Sequence, residues 1–388
     1  MTMGEWAGYN GSPVRKSSVL KATEMAAHPD RLPASWVLLS WAIVVCVGCS
    51  SSTSPEEPPD GLQYVTPEQV GWSSQKLEVS KSLAQQGGYA AVMAAFDGKV
   101  FFSWGDVSRN LKVHSLRKPF LSALFGIHVA RGEIGLDETL ADLGIDDHPS
   151  ALTDAERLAT VRELLQSRSG VYHPAAAEDT SMEAQRPPRG SHPHGTFYYY
   201  NNWDFNVAGT VFKQKTGLDI FEAFKKEIAE PIGMQDFSVA GCAYQYEFDK
   251  SQHPAYAFSM SARDMLRFGV LYQRGGSWLG THIVPSSWIT ESTVAYSIMD
   301  STFQVGYGYM WMTAPPGTPA AALFGQSCYF HTGIGVHLLV VMPDAGLVLV
   351  IRLNTEGAWV DPGDDLQMQL LRSIVNARIG SRGGLNLP

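Results

Sequence analysis

Hydrophobic positions along the chain follow two rhythms, and the switches between them outline a fold. Tyr89 to Phe96 and Lys99 to Trp104 are β-prone runs joined by Asp97-Gly98. A two-residue turn needs positive φ at both positions, which Asp-Gly tolerates, so the pair predicts a hairpin. Gly335 to Met342 and Gly346 to Leu353 are apolar, β-branched runs around Pro343-Asp344-Ala345 and predict a second hairpin. Elsewhere the spacing turns helical. Thr66 to Gln86 predicts a helix, with Gly71 weakening its first turn. Pro119 to Ala130 is apolar, Val161 to Gln166 is short and amphipathic, and Phe205 to Lys215 sets Phe205, Ala208 and Phe212 on one stripe. Ala262 to Arg274 is ended by Gly275-Gly276, and Asp364 to Ala377 closes the chain as a helix. There is no internal repeat.

Strands at both ends with helices between them predict an α/β fold of the α+β kind. One antiparallel sheet joins the two ends of the chain, and the helical middle covers a face or stands beside it as a lobe, leaving a cleft at the junction. The expected domain is 64–380, with its sheet part at about 64–130 and 255–380 and its mainly helical lobe at about 131–254. The 388 residues are 45% hydrophobic and 17% charged, enough to bury a sizeable core. A net charge of -9 without a dense Lys/Arg block argues against nucleic acid as a partner.

The first 48 residues read as a signal segment, and 49–63 as a polar linker. Trp36 to Gly48 is an uncharged apolar run, too short for a comfortable membrane span and suited to a signal h-region. Val47-Gly48-Cys49 resembles a bacterial lipobox, except that Cys46 stands where Leu is usual. The resemblance implies lipidation of Cys49, and Met25 is an alternative start. The expected location is outside the cytoplasm, periplasmic or at the outer membrane and cell envelope, held to the membrane through Cys49. A plain secretory signal or a short anchor is the alternative. Cys242 and Cys328 stay open between a disulfide and two buried thiols, the thiols being preferred. No paired-cysteine motif lies in the body of the chain, which argues against structural zinc.

The chemistry concentrates in three places. Ser115-Leu116-Arg117-Lys118 is a Ser-x-x-Lys tetrad opening the helix through Phe120, Leu121, Leu124 and Phe125. One helical turn puts Ser115 and Lys118 on one face. A serine hydroxyl needs an adjacent base, and a lysine in an apolar closed site loses enough of its charge to be one. The helix N-terminus adds partial positive charge beside a developing oxyanion, and Pro119 forces the helix to begin close to Ser115. Ser18-Val19-Leu20-Lys21 and Ser73-Ser74-Gln75-Lys76 match the tetrad too, but only Ser115 has an apolar helix behind it and a strand in front. Further on come Tyr200-Asn201-Asn202, with Gly209 closing the pattern, and His331-Thr332-Gly333 beside an apolar strand. His192-Pro193-His194 has no accompanying ligand cluster and reads as loop near the cleft mouth, so neither metal nor cofactor is expected.

With these three motifs in order, the chain resembles the serine β-lactamase and penicillin-binding protein superfamily, in its class C β-lactamase-related branch. That branch includes β-lactamase-type esterases, D-aminopeptidases and 6-aminohexanoate-dimer hydrolases. The resemblance covers about Pro67 to Ala377 and implies a β-lactamase/transpeptidase-like fold. It implies Ser115 as acylated nucleophile, Lys118 as its partner, Tyr200 as proton relay, and Asn202 bonding the substrate or Lys118. Tyr198 and Tyr199 also precede the asparagines, and counting back from Gly209 favours Tyr200. His331-Thr332-Gly333 is expected on an edge strand beside the cleft, with the N–H of Ile334 facing that of Ser115 across the oxyanion. Lysine is usual where His331 stands, and a histidine is a weaker, pH-dependent anchor for a β-lactam carboxylate.

The function expected is an exported serine hydrolase cleaving a small-molecule ester or amide through a Ser115 acyl-enzyme. One alternative is a β-lactamase or a D-amino-acid peptidase or DD-carboxypeptidase acting on cell-wall-like compounds. Another is a non-catalytic, lipid-anchored binding protein using the same cleft. The oligomeric state is left open.

Overall fold

A computed structural model describes residues 62–379. The signal segment, most of the linker and Cys49 lie outside the described residues. The chain enters with strand β1 (Gln63–Tyr64) and helix α1 (Ser74–Gln86), then the hairpin of β2 (Ala91–Phe96) and β3 (Lys99–Gly105). A short strand β4 (Leu111–Lys112) leads into α2 (Arg117–Ala130). The middle holds α3 (Val161–Leu165), α4 (Thr180–Gln185), α5 (Asn202–Thr216), α6 (Ile220–Phe224) and the hairpin β5 (Ala243–Glu247) and β6 (Ser251–Ala257). After β7 (Ser259–Met260) come α7 (Ala262–Gln273), β8 (Ser277–Trp278), β9 (Thr281–His282) and α8 (Ser286–Ser292). The rest is β10 (Ser297–Asp300), β11 (Val305–Tyr307), β12 (Met312–Ala314), α9 (Pro319–Phe324), β13 (Cys328–Gly333), β14 (His337–Met342), β15 (Leu347–Arg352) and α10 (Asp364–Asn376).

Nine strands form the main sheet in the order β1-β3-β2-β15-β14-β13-β12-β11-β10. All neighbours run antiparallel except β1, which lies parallel to β3. Both expected hairpins are present. Asp97 and Gly98 take φ of 47° and 76° at the first turn, and Leu338 to Met342 pair with Ile351 to Leu347 across the second. Every residue of β14 and β15 is buried, because both faces of the sheet are covered. On one face α7 comes so close at Gly269 that an added Cβ would sit 2.5 Å from Val348 and 2.9 Å from Leu339. On the other, Trp72 packs on Phe96 and Phe101 at 5.1 and 4.3 Å between ring centroids.

The two ends of the described residues meet: α1 packs on α10, the Trp72 indole N–H donates to Ile374 O at 2.9 Å, and Ser73 N–H to Ala377 O at 2.9 Å. Two expectations need correction. The helix over Thr66 to Gln86 is interrupted. A short 3-10 turn, Pro67–Val70, ends at Gly71 with φ 87°, and α1 starts afresh at Ser74, capped by Ser73. Only glycine enters that left-handed region without strain, so the residue read as a weak point is a stop. The strand bearing His331-Thr332-Gly333 is not an edge strand, since β13 lies between β12 and β14. The edge is local: β12 pairs only Cys328 to Phe330, so His331 to Gly333 have a strand partner on the β14 side alone.

Candidate active site

Ser115 sits in a 3-10 turn, His114–Leu116, that feeds α2 without a break. His114, just before it, holds φ 49°, a left-handed value costly for a residue with a side chain. Its surroundings impose it. His114 Nε2 meets Thr355 Oγ1 at 2.8 Å, its ring stacks on His337 at 5.5 Å, and Val113 N–H donates to Phe258 O at 3.0 Å. The turn leaves Ser115 half-buried, with Leu116 to Leu121 behind it buried.

Lys118 is 1% exposed and donates to Ser115 Oγ at 3.1 Å. Its Nζ lies 4.6 Å from the centroid of the Tyr200 ring and 4.7 Å from that of Phe205. Burial drives the Lys118 amine well below the usual ammonium range; Arg117 adds to the effect and Asp179 opposes it. Tyr200 is buried, edge-on to Tyr307 at 5.9 Å, and its ring centroid is 6.5 Å from that of His331. The neighbouring tyrosines have other places: Tyr199 donates its hydroxyl to Met182 O at 2.7 Å, and Tyr198 packs on Tyr307 at 5.2 Å. Of the three rings, Tyr200 is the one laid against Lys118.

Asn201 caps α5, its Oδ1 accepting from Trp203 N–H at 3.2 Å, while its Nδ2 donates to Val171 O and Asp204. Asn202 does not bond Lys118. Its Nδ2 donates to Ala177 O at 2.6 Å, and its Oδ1 is buried without a hydrogen bond. Ser167 bridges Tyr199 O and Asn201 N–H, pinning the segment that carries Tyr200.

On β13, His331 is fully buried, with Nδ1 2.7 Å from Thr332 O. Burial first, and then the neighbouring Lys118 and Arg117, push its imidazole down to about 3, which favours the neutral form at physiological pH. Thr332 is half-buried and reaches Met312 Sδ at 3.9 Å, and Ile334 is half-buried in the turn after the strand. Gly333 is where β13 touches the turn that carries Ser115: a Cβ there would lie 2.7 Å from Val113 O and 3.3 Å from His114 Cβ. Ser115, Lys118, Tyr200, His331 and Gly333 therefore share one site.

Several residues that sequence reasoning passed over support it. Arg352, buried at the end of β15, donates to Met260 O at 2.6 Å, Leu111 O at 2.9 Å and Lys112 O at 3.0 Å, tying β4 and β7 to the sheet. Its Nε donates to His337 Nδ1 at 3.1 Å. An arginine ending an apolar strand was the available signal. Of the two loop histidines, His192 stacks on Phe197 at 3.9 Å and His194 Nδ1 lies 3.0 Å from Glu163. No group of three or more His, Cys, Asp or Glu among the described residues is placed to hold a metal ion. Cys242 and Cys328 are free thiols, Cys328 buried and Cys242 only half-buried. A cavity of about 400 Å³ lined by Thr210, Lys213, Tyr244 and His253 contains none of the predicted site residues.

A helix-flanked sheet carrying this site at one strand end is the β-lactamase/transpeptidase-like fold. The Beta-lactamase family model matches residues 82–372, and the chain belongs to that family. Solved structures agree in fold. A class C β-lactamase is 15% identical with a TM-score of 0.59, the match covering 80% of this chain and 98% of that one. A D-stereospecific amidohydrolase from Streptomyces sp. is 18% identical with a TM-score of 0.58, covering 78% and 98%. D-alanine carboxypeptidase from Burkholderia cenocepacia is 15% identical with a TM-score of 0.58, covering 79% and 100%. No curated protein matches the chain by sequence.

Proposed function

We propose that the chain is an exported serine hydrolase that cleaves an ester or amide bond in two acyl-transfer steps. The observation that carries the reading is the 3.1 Å contact between Ser115 Oγ and a Lys118 amine held low in charge by burial. As the free amine, Lys118 accepts the Ser115 proton while Oγ attacks the carbonyl carbon. The N–H groups of Ser115 and Ile334 receive the oxyanion. Collapse of the tetrahedral species expels the alcohol or amine, which takes a proton through Tyr200. Water, giving its proton to the Tyr200 and Lys118 pair, then attacks the acyl carbon; the bond to Ser115 Oγ breaks, the pair returns that proton to Oγ, and the acid leaves.

His331 bears on the substrate. A buried, neutral imidazole supplies no cation for a carboxylate beside the scissile bond, so the site favours esters and amides lacking one. The amidohydrolase and carboxypeptidase among the similar folds keep amide substrates open. Export, with lipidation at Cys49, completes the proposal, and Cys49→Ala should move the protein from the membrane to the soluble fraction. Purified wild type should turn over a p-nitrophenyl short-chain ester faster than nitrocefin and be labelled by a fluorophosphonate. Ser115→Ala should do neither, and full labelling of that variant would remove the nucleophile assignment.

A further inference from the structure

We infer that Arg117 is a positioning residue for the reaction, its fixed positive charge keeping the neighbouring Lys118 as the free amine that Ser115 needs. The inference rests on the Ser115–Lys118 reading above and begins from an anomaly of burial. Arg117 is 5% exposed, inside the tetrad and next to Lys118. A guanidinium taken out of water ordinarily meets a carboxylate, because an unpaired buried charge is costly. Arg117 meets none. Its Nη2 donates to the neutral Asn206 Oδ1 at 3.1 Å, its Cζ lies 4.2 Å from the centroid of the Tyr256 ring, and its Nη1 is buried without a hydrogen bond. Burial pushes the Tyr256 phenol up to about 12, so that partner carries no negative charge either. Arginine is a fixed cation in proteins, and among the described residues no carboxylate is paired with this one.

The groups at Lys118 and in the layer just beyond them come from several elements. Tyr200 and Phe205, before and on α5, present uncharged rings. His331 on β13 is neutral, and behind the Tyr200 and Phe205 rings burial holds the Tyr307 phenol on β11 well above its ordinary range. Asp204 on α5 is bonded to Ser169 and Asn201, and burial raises its carboxyl strongly. Asp179, the cap of α4, is the acid that pulls toward the ammonium, and its carboxylate also accepts from Ser181 and Met182 N–H. Arg117 is the charge that pushes the other way. A purely structural role, stapling α2 to α5 and β6 through Asn206 and Tyr256, would use the same contacts, so the test must read protonation.

The measurement is the rate of Ser115 acylation by an uncharged fluorophosphonate from pH 5 to 10. In Arg117→Gln the midpoint of the acid limb should rise by about one unit, with a roughly tenfold loss at pH 6 and recovery to within about twofold of wild type at pH 9.5. Arg117→Lys, which keeps the charge, should hold the wild-type midpoint. Asn206→Asp places a carboxylate against Arg117 without removing it. It should raise the midpoint too, so the inference stays testable if Arg117→Gln fails to fold. An unmoved midpoint in a folded neutral variant, or an equal loss at every pH, overturns it. Labelling that persists in Ser115→Ala is a different failure, that of the underlying serine hydrolase reading.

Discussion

A lysine with 1% of its surface exposed must find a counter-ion or shed its proton, and Lys118 donates to a hydroxyl instead. That arrangement costs stability. The folded state binds fewer protons at Lys118 than the unfolded chain does, so stability falls as pH drops from the unfolded lysine range toward the lowered folded value. Lys118→Met should therefore raise the urea midpoint at pH 7, by the equivalent of about 1–3 kcal/mol, while acylation of Ser115 falls about 10²- to 10⁴-fold. A variant both less stable and still active would refute this account of the residue. His331 behaves in the same sense. Its imidazole titrates near 3 when folded against 6.5 when free, so its contribution is intact above about 6.5 and is lost on acidification through the window between the two values. Going from pH 7 to pH 5 should cost about 2 kcal/mol through this group alone. His331→Asn should show a correspondingly smaller loss in urea titrations at the two pH values.

Among elements, the contact on which the proposed chemistry depends is β13 against the turn that carries Ser115. Gly333→Ala would drive a methyl group into Val113 O. The turn or the strand must then shift, and displacements near 1 Å at a reacting group cost up to about 100-fold in rate. The expected result is a fall in kcat with the fold retained, checked by steady-state hydrolysis alongside circular dichroism; wild-type kcat would show that the approach of β13 does not matter. The hairpins, α2, α5, α7 and α10 were legible because each carries its own periodicity or turn signal over a dozen residues or so. Strands β10 to β12 were not. They are three or four residues long, too short to show alternation, and are made by pairing with β13. The same reason hid the local edge at His331. The tyrosine register was legible only as a preference, because three successive rings differ in role only through the neighbours that Met182, Tyr307 and Lys118 provide.

At the scale of the whole domain, the first and last elements of the described residues clamp the sheet on which the site depends. Trp72 is fully buried, donates to Ile374 O, and has the Arg378 guanidinium 4.9 Å from its ring centroid. Trp72→Ala should destabilise the protein by about 3–5 kcal/mol without touching Ser115, so residual folded enzyme should keep its labelling rate. A variant of unchanged urea midpoint would contradict the clamp. Intact-mass spectrometry and peptide mapping after reaction with a fluorophosphonate should find one adduct, on the peptide containing Ser115, absent from Ser115→Ala and strongly slowed in Lys118→Met. An adduct on another residue, or equal labelling of all three proteins, would contradict the account.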